Sequence, residues 1–213
     1  MKDLIEELYA AQRAISATTL PAGAAHVVTL TRDYPADIQD VWSALTTAER
    51  VARWFLPVSG DLRPGGTFQL EGNAGGEIRV CVPPRRLQLT WIMGRPPSDQ
   101  DSSIVEVRLE PTSENRTRLE LEHTAVVPPE MWSRFGPGGV GVGWDLGLLS
   151  LARHLAGLEV GHHDQLESNP ELRAYTTASS EEWGKALSAS GSDPETVEQA
   201  VAATTSFYLP SRD

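Results

Sequence analysis

Few side chains in this sequence have the type and spacing that catalysis requires. His123 ends a run of alternating apolar residues, where its neutral imidazole could donate to a ligand or act as a general base near neutral pH. A histidine in such a row is more commonly hydrogen-bonded to the backbone. Asp145 lies beside Trp144 at the start of a predicted helix, where a carboxylate stabilises the helix dipole. We predict a capping role for Asp145 and a hydrogen-bonded, non-catalytic role for His123, and we keep catalysis by His123 as the alternative.

Glu71 and Glu77 flank the glycine-rich segment 72–76 and could form an acid/base pair if their side chains converged. Phe68 and Leu70 claim the inner face of the preceding strand, which favours solvent-exposed carboxylates. The segment is not a phosphate-binding loop, because a strand follows where a helix N-terminus is needed. The sequence contains no GxSxG or HExxH motif.

One cluster, His162, His163, Asp164 and Glu167, has the residue types of a metal site. His163 and Glu167 would share a face if the segment were helical. The cluster follows a long predicted helix in a polar connection, where charged residues are ordinary. Cys81 is the single cysteine, which excludes an intrachain disulfide and a cysteine-based metal site. We therefore predict no resident metal and no other cofactor.

Aromatic residues at the ends of the predicted elements suggest an apolar cavity with a few polar groups to orient a ligand. The alternative is a filled core, but tryptophan is rarely buried completely and these positions suit the rim of a cavity. The predicted lining residues are Trp54, Phe55, Trp91, Leu121, His123, Met131, Trp132, Trp144 and Leu148.

Two helices and a β-hairpin are predicted to position the first of these aromatic residues. Ile38, Val41 and Leu45 share the spacing of one helical face, and a second short helix ends before Pro57, which cannot continue the backbone hydrogen bonding. The hairpin turns at 72–76. In its second strand Ile78, Val80 and Val82 alternate with Glu77, Arg79 and Cys81, which predicts Ile78 and Val80 on the inner face.

The second half of the chain is predicted to form the rest of the cavity wall. Alternation predicts strands at 104–110 and 118–123, in addition to a first strand at 26–33. Residues 127–143 are rich in proline and glycine and contain Met131 to Phe135, so we predict a lid over the cavity rim. A long helix follows, with apolar residues at helical spacing from Trp144 to Leu158.

The two ends of the chain are predicted to be helical. Leu4, Leu8, Ala11 and Ile15 fall near one face of a helix over residues 3–15. Ser179 with Glu182 forms a capping-box pattern, and Asp193 followed by Pro194 forms an N-cap, so two further helices are expected. We divide the chain into an N-terminal helix and linker (1–24), a central domain (25–160) and a helical extension (161–213). The extension packs on the domain or on a partner.

Five segments in order carry a family resemblance: VWxALTxxExxxRWFLP, GGxFxLEGNxGGE, PPRRLxxTW, SxVEVRLEP and TRLELEHT. Over residues 27–158 the chain resembles the START-like (SRPBCC) superfamily, in its branch of Hsp90-ATPase-activator homologues. The resemblance implies an α+β helix-grip fold, in which a curved antiparallel sheet wraps around a long C-terminal helix and leaves a cavity between them. Members of the superfamily include lipid and hormone binders, aromatase/cyclases and co-chaperone domains.

Composition excludes several classes of partner. Eighteen Lys and Arg residues against 29 Asp and Glu give a net charge of −11, which repels nucleic acids and anionic lipid surfaces. No apolar run approaches the roughly 20 residues that cross a bilayer, so no membrane insertion is expected. The acidic N-terminus lacks the basic start and apolar core of a secretory signal. These features predict a cytoplasmic protein.

Three functional hypotheses follow. The first is binding of a small apolar or aromatic molecule, without catalysis. The second is an aromatase/cyclase-like or hydrolytic enzyme that uses His123 with Asp145 or Glu71. The third is a protein-interaction module of the co-chaperone kind. A homodimer is a further open alternative, because the first and last helices carry apolar faces that could pair between two copies.

Overall fold

The computed structural model describes residues 4–94, 102–159 and 169–210. Seven helices and eight strands are present in these ranges. In chain order they are α1 (Leu4–Tyr9), β1 (Ala11–Leu20), β2 (Gly23–Tyr34), α2 (Ile38–Thr46), α3 (Ala48–Trp54), β3 (Val58–Gly60), β4 (Thr67–Leu70), β5 (Gly75–Val82), β6 (Arg86–Thr90), β7 (Ser103–Ser113), β8 (Arg116–Ala125), α4 (Pro129–Phe135), α5 (Gly138–Leu155), α6 (Pro170–Ala189) and α7 (Pro194–Tyr208).

The strands form one antiparallel sheet in the order β1-β2-β8-β7-β6-β5-β4-β3. The register aligns apolar residues in rows across neighbouring strands. One such row runs through Leu30, Leu121, Val107, Leu87 and Cys81. Because side chains alternate between the two faces of each strand, these rows give the sheet a continuous apolar face.

Helix α5 packs across that face, as the helix-grip fold requires. Its residues Val142, Leu146, Leu149 and Leu151 are buried in the main core with residues of β2, β7 and β8. The hydroxyl of Tyr34 donates to the backbone oxygen of Leu148 at 3.1 Å, which ties β2 to the middle of the helix. The predicted α+β helix-grip fold is confirmed.

Glycine allows helix α6 to approach α5 closely. A Cβ atom on Gly141 would lie 2.2 Å from Cε2 of Trp183, so this position has no room for a side chain. A Cβ on Gly138 would lie 3.0 Å from Thr204 of α7. Residues 136–141 match the spacing GxGxxG, but they follow helix α4 instead of a strand and their glycines serve helix packing.

The N-terminal segment differs from its prediction. The first helix ends at Tyr9, and residues 11–20 form β1, which pairs with β2 from Ala11–Arg32 to Leu20–Gly23. The apolar spacing of this segment also fits alternation, with Ala11, Arg13 and Ile15 more buried than the residues between them. All ten residues of β1 pair with β2, and this pairing outweighed the helical pattern of the segment.

The C-terminal extension packs against the central part of the same chain. Tyr175 and Trp183 of α6 are buried in the main core, and α6 also contacts α1 and β1. Helix α6 begins at Pro170 with Asn169 as its N-cap, so the predicted start at Ser179 is wrong. The cap at Asp193 is confirmed, since its carboxylate accepts from the backbone N–H of Thr196 at 2.9 Å.

The cluster His162, His163, Asp164 and Glu167 lies outside the described residues. Among the helices of the described ranges, none has the length and apolar character that a bilayer crossing needs.

Candidate ligand cavity

A cavity of about 170 Å³ lies between the apolar face of the sheet and helix α5. Most of its wall is made of aliphatic and aromatic side chains from α2, α3, strands β3 to β8 and α5. The lining residues are Leu45, Thr46, Val51, Trp54, Phe55, Val58, Leu62, Arg63, Phe68, Leu70, Ile78, Cys81, Leu87, Leu89, Trp91, Val105, Val107, Leu119, Leu121, Trp144, Gly147 and Leu148. Space of this kind favours an apolar guest.

Five aromatic rings form one connected part of the wall. The ring centroids of Trp54 and Phe55 are 5.4 Å apart, and those of Phe55 and Trp91 are 6.4 Å apart. Trp91 also lies 6.0 Å from Phe68 and 5.0 Å from Trp144. The rings are tilted relative to one another, which is a favoured aromatic geometry, and they present faces and edges to a guest.

Hydrogen bonds hold two of the indoles in place. Nε1 of Trp54 donates to the backbone oxygen of Ala44 at 2.9 Å. Nε1 of Trp144 donates to Nδ1 of His123 at 3.1 Å. Because both N–H groups are bonded to the protein, these two walls of the cavity are preorganised.

The surroundings of His123 determine its tautomer. An indole N–H can only donate, so Nδ1 carries the lone pair that accepts from Trp144. In the neutral ring the proton is then on Nε2, which donates to Oγ of Ser103 at 2.9 Å. Burial lowers the pKa of His123 from 6.5 to about 4, which keeps the ring neutral near pH 7. Both ring nitrogens are therefore occupied.

His123 is 6 % exposed and is not among the lining residues of the cavity. To act as a general base on Ser103, Nε2 would have to carry the lone pair, which places the proton of the neutral ring on Nδ1. The Nδ1–H would then point at the N–H of Trp144, and two donors would face each other. This arrangement opposes a general base and gives His123 the role of positioning Trp144. Catalysis by His123 stays a prediction without geometric support.

Asp145 does not cap a helix as predicted, because α5 begins seven residues earlier at Gly138. Its side chain is 1 % exposed and lies between the two ends of the chain. Arg13 of β1 donates from Nε and Nη2 to its two oxygens at 3.0 and 2.7 Å. From α6, Ser179 donates at 2.6 Å and Trp183 at 3.0 Å. This carboxylate therefore joins β1, α5 and α6.

The electrostatics of Asp145 are those of a structural ion pair. Burial raises the pKa of Asp145, while the Arg13 guanidinium and the donors Ser179 and Trp183 act to lower it. All four donors are supplied by the protein, so the carboxylate has no side open to a ligand. Asp145 is not a cavity residue.

The predicted lid residues lie elsewhere. Met131 is 47 % exposed, and Trp132 stacks on the imidazole of His26 with ring centroids 3.5 Å apart. Their helix, α4, packs against α7 and α5. Neither residue lines the cavity, so their role in ligand binding stays a prediction that the geometry does not support.

Cys81 is a lining residue that sequence reasoning missed. The pairing of β5 with β6 shifts register between Ile78 and Val80, which is the mark of a β-bulge. Beyond the bulge the alternation is inverted, so that Cys81, and not Val80, points toward the cavity. Burial raises the pKa of the Cys81 thiol. No local signal in the sequence predicts the bulge.

Most other lining residues that were not singled out belong to rows that alternation had already placed inward. Phe68, Leu70 and Ile78 are examples, and the predicted inner face of the β4–β5 hairpin could have been used to find them. Leu62 and Arg63 had no such signal, because they lie in the connection between β3 and β4.

Comparison with known proteins agrees with this architecture. The family described as "Activator of Hsp90 ATPase homolog 1-like protein" matches residues 35–156. The crystal structure of CalU16 from Micromonospora echinospora is 35 % identical, with 84 % of this chain and 99 % of CalU16 covered and a TM-score of 0.67. Its solution NMR structure gives 37 % identity, 86 % and 97 % coverage, and a TM-score of 0.70.

A more distant structure is the Aha1 dimer from Colwellia psychrerythraea, which is 20 % identical over 61 % of this chain and 95 % of that one, with a TM-score of 0.50. At this identity the likeness concerns the fold alone. No match to a curated protein reaches significance. The matched residues are more than half of the chain and CalU16 is similar over most of its length, so this chain belongs to the family of Activator of Hsp90 ATPase homolog 1-like proteins, within the START-like superfamily.

Proposed function

We propose that this protein binds a small apolar or aromatic molecule in the cavity between the sheet and helix α5. The observation that carries the proposal is the connected wall of five aromatic rings around a cavity of about 170 Å³. Trp54 and Trp144 are already hydrogen-bonded within the protein, so a guest need not satisfy their N–H groups. An apolar guest therefore leaves few polar groups unpaired.

The volume indicates the size of the guest. A dry apolar cavity of about 150 Å³ in another protein accepts benzene, so this space suits one aromatic ring with a short substituent. Burying about 150 Å² of apolar ligand surface contributes about 4 kcal/mol, which corresponds to a Kd near 1 mM. Tighter binding requires a larger guest that extends through the mouth, or a polar anchor there.

The cavity's single thiol offers a direct assay. Cys81 is the one cysteine of the chain and lines the cavity, so a bound guest shields it from alkylation. We expect benzene-sized aromatic compounds to slow the reaction of Cys81 with iodoacetamide and to raise Tm. Aromatic compounds that leave both quantities unchanged at millimolar concentration would contradict the proposal.

Gly147 supplies a matched pair of variants. A Cβ at this position would lie 3.8 Å from Cε2 of Phe55, in ordinary contact, and both residues line the cavity, so we expect a longer side chain there to extend into it. Gly147→Leu should fill the cavity, retain the fold and abolish protection of Cys81 by ligands. Ser150→Leu adds the same side chain to α5 outside the lining residues and should leave ligand protection unchanged.

The remaining hypotheses stay predictions. The cyclase-like enzyme depends on His123, whose ring nitrogens are bonded to Trp144 and Ser103. No contact in the described ranges favours a co-chaperone surface over any other surface. A homodimer also stays a prediction: Leu8 of the first helix is buried in the chain's own core, whereas Phe207 of the last helix is 62 % exposed. Analytical ultracentrifugation tests the dimer.

A further inference from the structure

Arg63 stands apart from the rest of the cavity wall. Of the lining residues in the described part of the chain, it is the single one with a charged side chain. The other polar lining groups are weak or already used, since Cys81 is a neutral thiol and the Thr46 hydroxyl donates to the backbone oxygen of Trp42 at 2.8 Å. Within this lining, a negatively charged group on a ligand therefore finds a complementary charge only at Arg63.

Exposure places Arg63 at the mouth. Its side chain is 75 % exposed although it lines the cavity, and the adjacent Leu62 is 42 % exposed. Lining residues that also face solvent mark the opening. A guest with its apolar body inside would therefore extend its solvent-facing end toward the guanidinium.

The guanidinium retains donors for a ligand. Nε of Arg63 donates to both carboxylate oxygens of Asp61, at 2.9 and 2.8 Å. Within the described ranges no acceptor is bonded to its two Nη groups. Since arginine has five N–H donors in a planar fork, four of them remain available to a second anion.

The backbone that carries Arg63 is fixed. The N–H of Gly65 donates to the oxygen of Ile78 at 2.8 Å, and the N–H of Ile78 donates to the oxygen of Gly66 at 2.9 Å. A Cβ on Gly66 would lie 2.0 Å from the backbone oxygen of Asp61, so the loop closes too tightly for any other residue. Because Ile78 itself lines the cavity, the loop is anchored to the cavity wall.

We propose that the ligand is an amphipathic carboxylic acid, with an aromatic ring in the cavity and its carboxylate bound by the Nη groups of Arg63 at the mouth. This inference rests on the proposed function of the cavity. The chain's net charge of −11 disfavours anions in general, which makes the local cation at the mouth the feature that selects them. Partial exposure and the competing Asp61 keep the contribution modest.

Matched acids and amides test the proposal. Phenylacetate, 3-phenylpropionate and 4-phenylbutyrate are each compared with the corresponding primary amide at pH 7.5, by protection of Cys81 from alkylation. At the best chain length we expect the acid to bind about three- to tenfold more tightly than its amide, as a charge-assisted hydrogen bond weakened by solvent predicts. The ratio should fall toward one in 0.5 M salt, which shortens the Debye length.

Three variants assign the effect. Arg63→Gln should reduce the acid-to-amide ratio to about one while the amide binds as before. Asp61→Asn removes the competing carboxylate and should increase the ratio. Arg116→Gln, which removes an arginine outside the cavity lining, should change neither ligand.

The outcomes separate this inference from the proposed function. Equal protection by acid and amide at every chain length, or an acid preference that survives Arg63→Gln, overturns the assignment of Arg63 while the cavity remains a binding site. If neither acids nor amides protect Cys81, the proposed function itself fails.

Discussion

Replacing Asp145 by Asn tests whether one buried carboxylate holds both ends of the chain on helix α5. The variant keeps the size of the side chain but removes its charge, and it leaves the guanidinium of Arg13 buried at 5 % exposure. The amide group of Asn would also face donors from Arg13, Ser179 or Trp183, where Asp145 has only acceptors. An unpaired buried charge and a donor–donor contact result.

The expected loss is about 3–5 kcal/mol in the free energy of unfolding, the usual cost of breaking a buried ion pair. This is a large part of the roughly 5–15 kcal/mol that stabilises a typical domain. For a chain of this length it lowers Tm by about 6–20 °C. Urea denaturation followed by circular dichroism measures the free energy, and hydrogen exchange should show faster opening of β1 and α6.

A matched surface pair provides the control. Asp40 pairs with Arg50 at 2.7 Å, but its side chain is 42 % exposed, so Asp40→Asn should cost at most about 1 kcal/mol. In a double-mutant cycle, Arg13→Met with Asp145→Asn should cost at least about 1 kcal/mol less than the sum of the single variants. A loss below 1 kcal/mol for Asp145→Asn, or an additive cycle, would refute this account of the carboxylate.

Three further predictions concern other parts of the fold. His123 is protonated more readily in the unfolded chain than in the folded one, so the free energy of unfolding should fall by about 3 kcal/mol as the pH falls from 6.5 toward 4. His123→Gln should flatten this part of the curve of unfolding free energy against pH, and an unchanged curve would contradict the prediction. Gly141→Ala should destabilise by about 1–3 kcal/mol because its methyl meets the indole of α6, whereas Gly147→Ala should stabilise slightly; calorimetry distinguishes them, and equal effects refute the packing argument. Trp91→Ala should weaken ligand protection of Cys81 more than Trp132→Ala does, and the reverse order would contradict the cavity assignment.

Local patterns were sufficient for most of the sheet and for the long helix. Alternation placed strands at 104–110 and 118–123, and the structure extends both by a few residues into β7 and β8. The same local logic failed at residues 11–20, where small and β-branched residues fit either a helix or a strand. Pairing with β2 decided the outcome there, and no local pattern contains that information.

The predicted cavity residues divide along the same line. Trp54, Phe55, Trp91, Leu121, Trp144 and Leu148 line the cavity, whereas His123, Met131 and Trp132 do not. Four of the six lie on helices or strands whose inward-facing residues recur at regular spacing, and Phe55 and Trp91 directly follow such elements. Met131 and Trp132 lie on α4, whose packing against α7 and β2 depends on a helix more than 60 positions away.

The amino-acid sequence alone determined the acidic charge and the apolar character of the inner face, because each depends on composition or on spacing within one element. Its five ordered segments also carried the family resemblance, and the resemblance implied the α+β class. Tertiary structure decided that Cys81 faces the cavity, since a bulge in β5 inverts the alternation. It also decided that Asp145 is a structural ion pair, since its partner Arg13 is 132 positions away. Arg63 reaches the mouth because backbone hydrogen bonds to Ile78 place its loop there. Contacts between distant segments, which local spacing does not encode, turned an apolar face into a cavity with a charged mouth.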